Sequence, residues 1–321
     1  MFPHMPRNGT LEQSDPCTPF SSIEPYRTVR STMSLVLRKL HLVVYLAVSL
    51  PCLETANAWN AQSSLQCRPR SIARRTTQLS AIDIEAVGDD DSSITRAAAL
   101  MVDEFWLGSS LQRLDGSDDT VDESLRSSLM ADQLDDFTKK YGARMGKRLL
   151  PAGLLGAVEN GDLVGLVSME VTLLDKNRGD LLDTTTSEQK LKSAVASLGP
   201  KDRRAYKDSS AQEIARKLLA EEQCEAVCCL SNLSIAKSAR RKGIAAKLCQ
   251  KVEQIAKEEW SFDQVYLRVE AQNTPAIALY ENKLGYQKQF TVENAVALRL
   301  DVGAGSFVET QQDTLILSKS L

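Results

Sequence analysis

Residues 240–246 read Arg-Arg-Lys-Gly-Ile-Ala-Ala, a grouping whose residue types can hold a diphosphate. At a helix start the first backbone N–H groups lack intrahelical acceptors, and the helix dipole adds partial positive charge. Gly243 keeps a Cβ out of the way of an approaching ligand, Ala245 and Ala246 keep the following positions small, and Arg240, Arg241 and Lys242 add three cations. Such a basic turn is also the composition of a solvated charge cluster, so its surroundings must decide. Histidine chemistry is scarce. The 321-residue chain has two histidines, His4 and His41, so residues beyond 41 cannot build a histidine triad or a histidine metal site. Of seven cysteines, Cys224, Cys228, Cys229 and Cys249 lie after residue 80. Their C-x3-C-C spacing has no second pair at metal-ligand distance, and buried free thiols are expected.

The elements that position these residues are legible around them. Ile244, Leu248, Val252, Ile255 and Ala256 lie on one face of a helix that the basic turn begins. Val265, Leu267 and Val269 alternate with Tyr266, Arg268 and Glu270 as a strand. A second helix is expected to start with Thr274 as its N-cap and Pro275 in its first turn, and to stop at Gly285. Upstream, Glu225 to Ile235 reads as a strand, and Asn160-Gly161 turns a hairpin between about Leu154 and Leu174. Ile82 to Ala86 reads as a short strand, with helices expected over Ile94–Leu107 and about Val121–Arg144. Residues 175–223 are polar and read as an insertion, helical near Ala211 to Glu222, placed where it could shape an acceptor site. Asp313 to Ser318 is a plausible last strand.

Together these blocks resemble the GNAT superfamily of acetyl-CoA-dependent N-acetyltransferases. That family carries Arg/Gln-x-x-Gly-x-Gly/Ala, which Arg240, Gly243 and Ala245 fit, after a strand ending Leu-x-Val, to which Leu233-Ser234-Ile235 corresponds. It also carries Asn-x-x-Ala-x-x-Leu-Tyr-Glu-x-x-Gly-Phe/Tyr. Asn273, Ala276, Leu279, Tyr280, Glu281, Gly285 and Tyr286 match this, with one extra residue between Glu281 and Gly285. The close resemblance covers about Glu225 to Tyr286. It implies an α/β (α+β) GNAT fold, a mixed central sheet flanked by helices with two parallel strands splayed apart.

The resemblance also implies roles. Acetyl-CoA would be the co-substrate, its pantetheine arm bonding backbone at Leu233 and Ile235 in the gap. Arg240, Arg241, Lys242, Gly243, Ile244, Ala245 and Ala246 would hold the diphosphate, and Asn273 would contact the arm. Tyr280 would be the general acid, giving a proton to the departing thiolate; a packing tyrosine is the alternative. The amine would attack the thioester directly, with no metal. Glu170, Glu225 and Glu270 are candidates for the base, none of them singled out, and an ordinary surface carboxylate is the favoured reading of each. The expected acceptor is a protein amine, either an N-terminal α-amine or a lysine. A small-amine acetyltransferase and a non-catalytic acetyl-CoA-binding module are the alternatives.

The first eighty residues read as an address. Residues 1–32 are unassigned. In residues 33–58, Arg38 and Lys39 precede an apolar stretch, Leu40 to Leu50, and Ala56-Asn57-Ala58 has the small-x-small form of a signal cleavage site. Residues 59–80 hold arginines, serines and threonines but no acid, the composition of a transit peptide. The order resembles the bipartite presequence of algae with secondary plastids, which implies the plastid stroma, with secretion as the alternative. Residues 81–321 would then be the working domain. The chain's net charge of −3 divides accordingly: residues 1–80 carry 9 basic and 4 acidic side chains, the remainder 30 and 38. An acidic domain argues against nucleic acid as partner, and no apolar run reaches the roughly 20 residues of a membrane span.

Overall fold

A computed structural model describes residues 82–114, 122–146 and 148–321. The signal-like and transit-like segments lie outside the described residues. Strand β1 (Ile82–Ala86) leads to helix α1 (Asp91–Met101), which widens into a π turn over Val102–Trp106. The Asp90 carboxylate caps α1 by accepting from the N–H groups of Ser92 and Ser93. Helix α2 (Glu123–Tyr141) precedes the hairpin of β2 (Ala152–Glu159) and β3 (Asp162–Asp175). Asn160 and Gly161, with φ of 56° and 90°, make its turn as the sequence implies. Next come β4 (Asp180–Leu181), α3 (Thr184–Ala196), α4 (Pro200–Ala205) and α5 (Ala211–Leu218). The chain continues through β5 (Cys224–Ile235), α6 (Ile244–Glu258), β6 (Gln264–Glu270) and α7 (Thr274–Ile277), with a second π turn over Ala278–Leu284. A hairpin of β7 (Gln287–Asp301) and β8 (Ser306–Ser320) completes it.

The strands form one mixed sheet in the order β1-β2-β3-β5-β6-β8-β7, with β4 paired to β3. Strands β5 and β6 are its parallel pair, and they pair only at Cys228–Val265, Cys229–Tyr266 and Leu230–Leu267. Beyond those residues both strands continue, but apart. The cause is visible in β5: Asn232 has φ of 54°, and the register with β3 shifts between Ser231 and Ser234. A bulge there bends the strand away from its neighbour.

Alternation along the strands assigns the two faces. Val167, Met169, Cys228, Leu230, Val265 and Leu267 point to one side, where Ile244, Leu248 and Val252 of α6 and Tyr280 cover them. The other side carries α1 and α2 over Leu154 and Leu166. The inserted segment is part of the first core, because Leu191, Ile214, Ala215 and Leu219 are all buried in it. Its first part borders the acceptor face: Asp180 pairs with Arg268, and Thr184 of α3 donates to Glu170. Its last helix lies elsewhere, with Gln212 of α5 bonding the carbonyl of Trp260, beyond the far end of α6.

Two element ends differ from the sequence reading. Asn273, not Thr274, caps α7, its side-chain oxygen accepting from Ala276 N–H at 3.2 Å. The terminal strand is one arm of a long hairpin rather than a six-residue piece; its polar half, Ser306–Gln312, pairs with β7 and carries no apolar alternation of its own. Gly285 stops the helix as expected, with φ of 80°.

Candidate active site

The basic loop at residues 240–246 has a geometry suited to an anion, as its composition suggests. Arg241 and Gly243 both have positive φ, 68° and 80°, alternating with ordinary residues so that successive N–H groups point to a common side. No side chain caps α6, which leaves the N–H groups of its first turn open. A cavity of about 340 Å³ lies in front of them. Ile235, Arg240, Arg241 and Gly243–Ala246 form one wall; Pro275, Ala278, Leu279 and Lys283 form the other.

The four cations near this cavity divide into two kinds. Arg240 is bound inward: its Nε donates to the Ile235 carbonyl at 3.0 Å and its Nη2 to Glu104 at 2.7 Å. Lys242 bonds both oxygens of Glu159, at 2.9 and 2.8 Å. Arg241 and Lys283 line the cavity and have no ion-pair partner among the described residues. Lys283 escaped the sequence reading. The signal for it was the extra residue between Glu281 and Gly285, which the helix absorbs as the π turn Ala278–Leu284.

The structure brings Ile235 and the loop residues 240, 241 and 243–246 to one cavity. Leu233, Ser234, Lys242, Asn273 and Tyr280 do not line it. Leu233 lies in the bulge of β5 and Ser234 just past it, where that strand has left β6. Asn273, Ser234 and Tyr280 are buried, and Asn273 Nδ2, Ser234 Oγ and the Tyr280 hydroxyl have no hydrogen-bond partner. The Tyr280 ring stands 5.7 Å from that of Tyr286. Burial pushes the Tyr280 phenol well above its usual range, so it stays protonated. Orphaned donors in a buried position cost about 1–3 kcal/mol each, and Ser234 and Asn273 follow the last paired residues of β5 and β6, where the two strands have parted and a pantetheine arm would bring acceptors. The residues present therefore fit acetyl-CoA.

The three candidate bases sit differently. Glu170 is buried and bonded to Lys140 Nζ at 2.7 Å. Glu270 is buried and bonded through both oxygens to Arg299 Nη2 at 2.7 Å. Glu225 belongs to the opposite end of β5, where it pairs with Lys176 on an opening of about 830 Å³ away from the cofactor loop. Arg268 pairs with Asp180 on the Glu170–Glu270 face. In register Arg299 pairs with Val308, six residues from Thr314, the partner of Glu270. A flat ribbon would separate those positions by roughly 20 Å. The hairpin curls at its bulge near Asn294, φ 51°, and Leu298 and Leu300 pack against the α1–α2 layer. The four cysteines are free and buried, as their spacing implied. Burial raises the thiols of Cys228, Cys229 and Cys249, which leaves them protonated and poor as acyl carriers. No group of metal-ligating side chains occurs among the described residues.

The sequence pattern of the acetyltransferase (GNAT) family matches residues 123–286. No curated protein matches. Similar solved structures include Arabidopsis thaliana NAA60 in complex with acetyl-CoA, at 14% identity over 75% of this chain and 99% of that chain, TM-score 0.39. A ribosomal-protein-alanine N-acetyltransferase from Brucella melitensis is 16% identical over 74% and 99%, TM-score 0.37. An agmatine N-acetyltransferase is 15% identical over 74% and 100%, TM-score 0.38.

Proposed function

Because the chain belongs to the acetyltransferase (GNAT) family, and so is an acetyl-CoA-dependent N-acetyltransferase, we propose that its acceptor is a protein amine, an N-terminal α-amine or a lysine. One observation carries this reading. The acceptor would approach from the face opposite α6 and α7, where Glu170, Glu270 and Asp180 each pair with a cation, Lys140, Arg299 and Arg268, and Glu170 keeps one oxygen, Oε1, without a hydrogen-bond partner. A polyamine-like substrate needs free carboxylates for its distal ammonium groups. A peptide can be held through its backbone and needs none.

In the proposed reaction the unprotonated amine attacks the thioester carbon; the N–C bond forms, the C–S bond breaks, and the proton that nitrogen sheds passes to water, which later returns one to the residue that protonates sulfur. Tyr280, held protonated by burial, supplies the proton that the leaving sulfur takes. Backbone N–H groups of β5 beyond Leu230, where pairing with β6 has ended, polarise the carbonyl oxygen. Arg241, Lys283 and the open N–H groups of α6 hold the diphosphate. Acetyl-CoA supplies the activated acyl group.

The full chain, given acetyl-CoA with a peptide panel and competing small amines, should acetylate peptides preferentially. Preferential acetylation of agmatine or a polyamine would replace this reading. We also propose plastid residence, on the composition of residues 33–80 alone. The N-terminus of the protein purified from its host, read by mass spectrometry, should lie near residue 81; an intact 33–80 segment would refute that.

A further inference from the structure

We infer that Glu104 is a positioning residue for the cofactor loop, acting through Arg240; this rests on the reading of that loop as the diphosphate site. Glu104 lies in the π turn Val102–Trp106, on the acceptor side of the molecule. One of its oxygens accepts from the Lys237 backbone N–H at 3.1 Å, and the other from Arg240 Nη2 at 2.7 Å. Both partners belong to the segment between β5 and α6. Arg240 Nε simultaneously donates to the carbonyl of Ile235, the last residue of β5. One carboxylate thus ties the end of the splayed strand, the entry of the loop and the acceptor-side helix into a single brace. The side chains of Glu104 and Arg240 are 16% and 11% exposed, so water screens the pair only partly.

The same π turn grips its other neighbours. Asp103 pairs with Arg126 of α2, and Trp106 donates to Gln133 and meets the Phe307 ring of the closing hairpin at 4.8 Å. A single α-helical register would not present adjacent Asp103 and Glu104 to α2 and to the loop while burying Val102, Phe105 and Trp106; the widened turn does.

This role makes a prediction opposite in sign to direct ligation by Arg240. If Arg240 were itself a phosphate ligand, removing the neighbouring carboxylate would free a cation, remove a repelling charge and tighten binding of a polyanion. If the pair is a brace, removing either partner loosens the loop and weakens binding. Calorimetric titration of the full chain with CoA separates the two. Glu104→Ala and Arg240→Ala should each weaken binding by about tenfold, and the double variant should lose no more than either alone. Glu104→Gln, whose amide oxygen still accepts from Lys237 N–H, should lie between wild type and Glu104→Ala. KM for acetyl-CoA should rise in step while kcat changes much less, a split that general loss of fold would not produce. Equal or tighter CoA binding by Glu104→Gln, or additive losses in the double variant, would overturn the inference. Wild-type chain that binds no CoA would instead refute the cofactor reading on which it rests.

Discussion

The two faces of the central sheet treat their charges differently. On the α6 side Arg240 and Lys242 are paired with Glu104 and Glu159, but Arg241 and Lys283 stand without ion-pair partners among the described residues, and the first turn of α6 has no cap. On the acceptor side Lys140, Arg268 and Arg299 are each bonded to a carboxylate. A site for a polyanion must keep cations unspent. A site where a neutral amine reacts gains from having its charges mutually satisfied, because an unpaired buried charge would bind water or hold the amine as ammonium.

The strongest way to break this contrast is to remove one acceptor-side carboxylate. Glu270→Ala deletes the buried ion pair with Arg299 and should destabilise the fold by about 3–5 kcal/mol, measured by denaturant unfolding. The paired change Glu270→Leu with Arg299→Met should cost clearly less. Equal losses would mean that packing rather than charge pairing is what matters there. Next in size, Tyr280→Phe should lower kcat about a hundredfold with little change in KM for acetyl-CoA; unchanged turnover would reduce Tyr280 to a packing residue. On the cofactor side, Arg241→Ala and Lys283→Ala should each raise KM for acetyl-CoA by about tenfold, less in high salt, without altering kcat. A null result at Lys283 would remove the second wall of the cavity from diphosphate binding.

The smallest effect concerns Tyr141, buried beside Lys140. Burial raises its phenol to about 12. The folded state therefore holds that proton more tightly than the unfolded chain, whose tyrosines titrate near 10. Stability from this source is complete below pH 10 and is lost as pH rises toward 12. Melting curves at pH 8 and 11 should show the decline, and Tyr141→Phe should flatten it by about 1 kcal/mol at pH 11.

What the sequence disclosed depended on how local the determinants were. The basic loop and the helix after it were readable because Gly243, Ala245 and the apolar series from Ile244 to Ala256 lie within one stretch. The hairpin at Asn160-Gly161 and the stop at Gly285 were readable because each needs positive φ at a marked position. The acceptor face was not: Lys140, Asp180, Arg268 and Arg299 lie on four different elements, and only folding makes them partners. The two π turns were missed for another reason. Each inserts a residue into a 3.6-residue period, and a periodic reading averages across it. The insertion was recognised by polarity, yet Leu191, Ile214 and Leu219, spread thinly among charged residues, bind it into the core.

The three residue pairs joining β5 to β6 are the narrowest link between the first half of the sheet and the second. A pantetheine arm lying there would act as additional rungs of a ladder that the backbone leaves unfinished. Binding would then be coupled to cohesion between the halves, and the melting temperature would rise with acetyl-CoA concentration as for any ligand selective for the folded state. Amide exchange in Leu233–Ile235 should slow most in the loaded protein, so that a seam in the sheet becomes a gauge of cofactor supply.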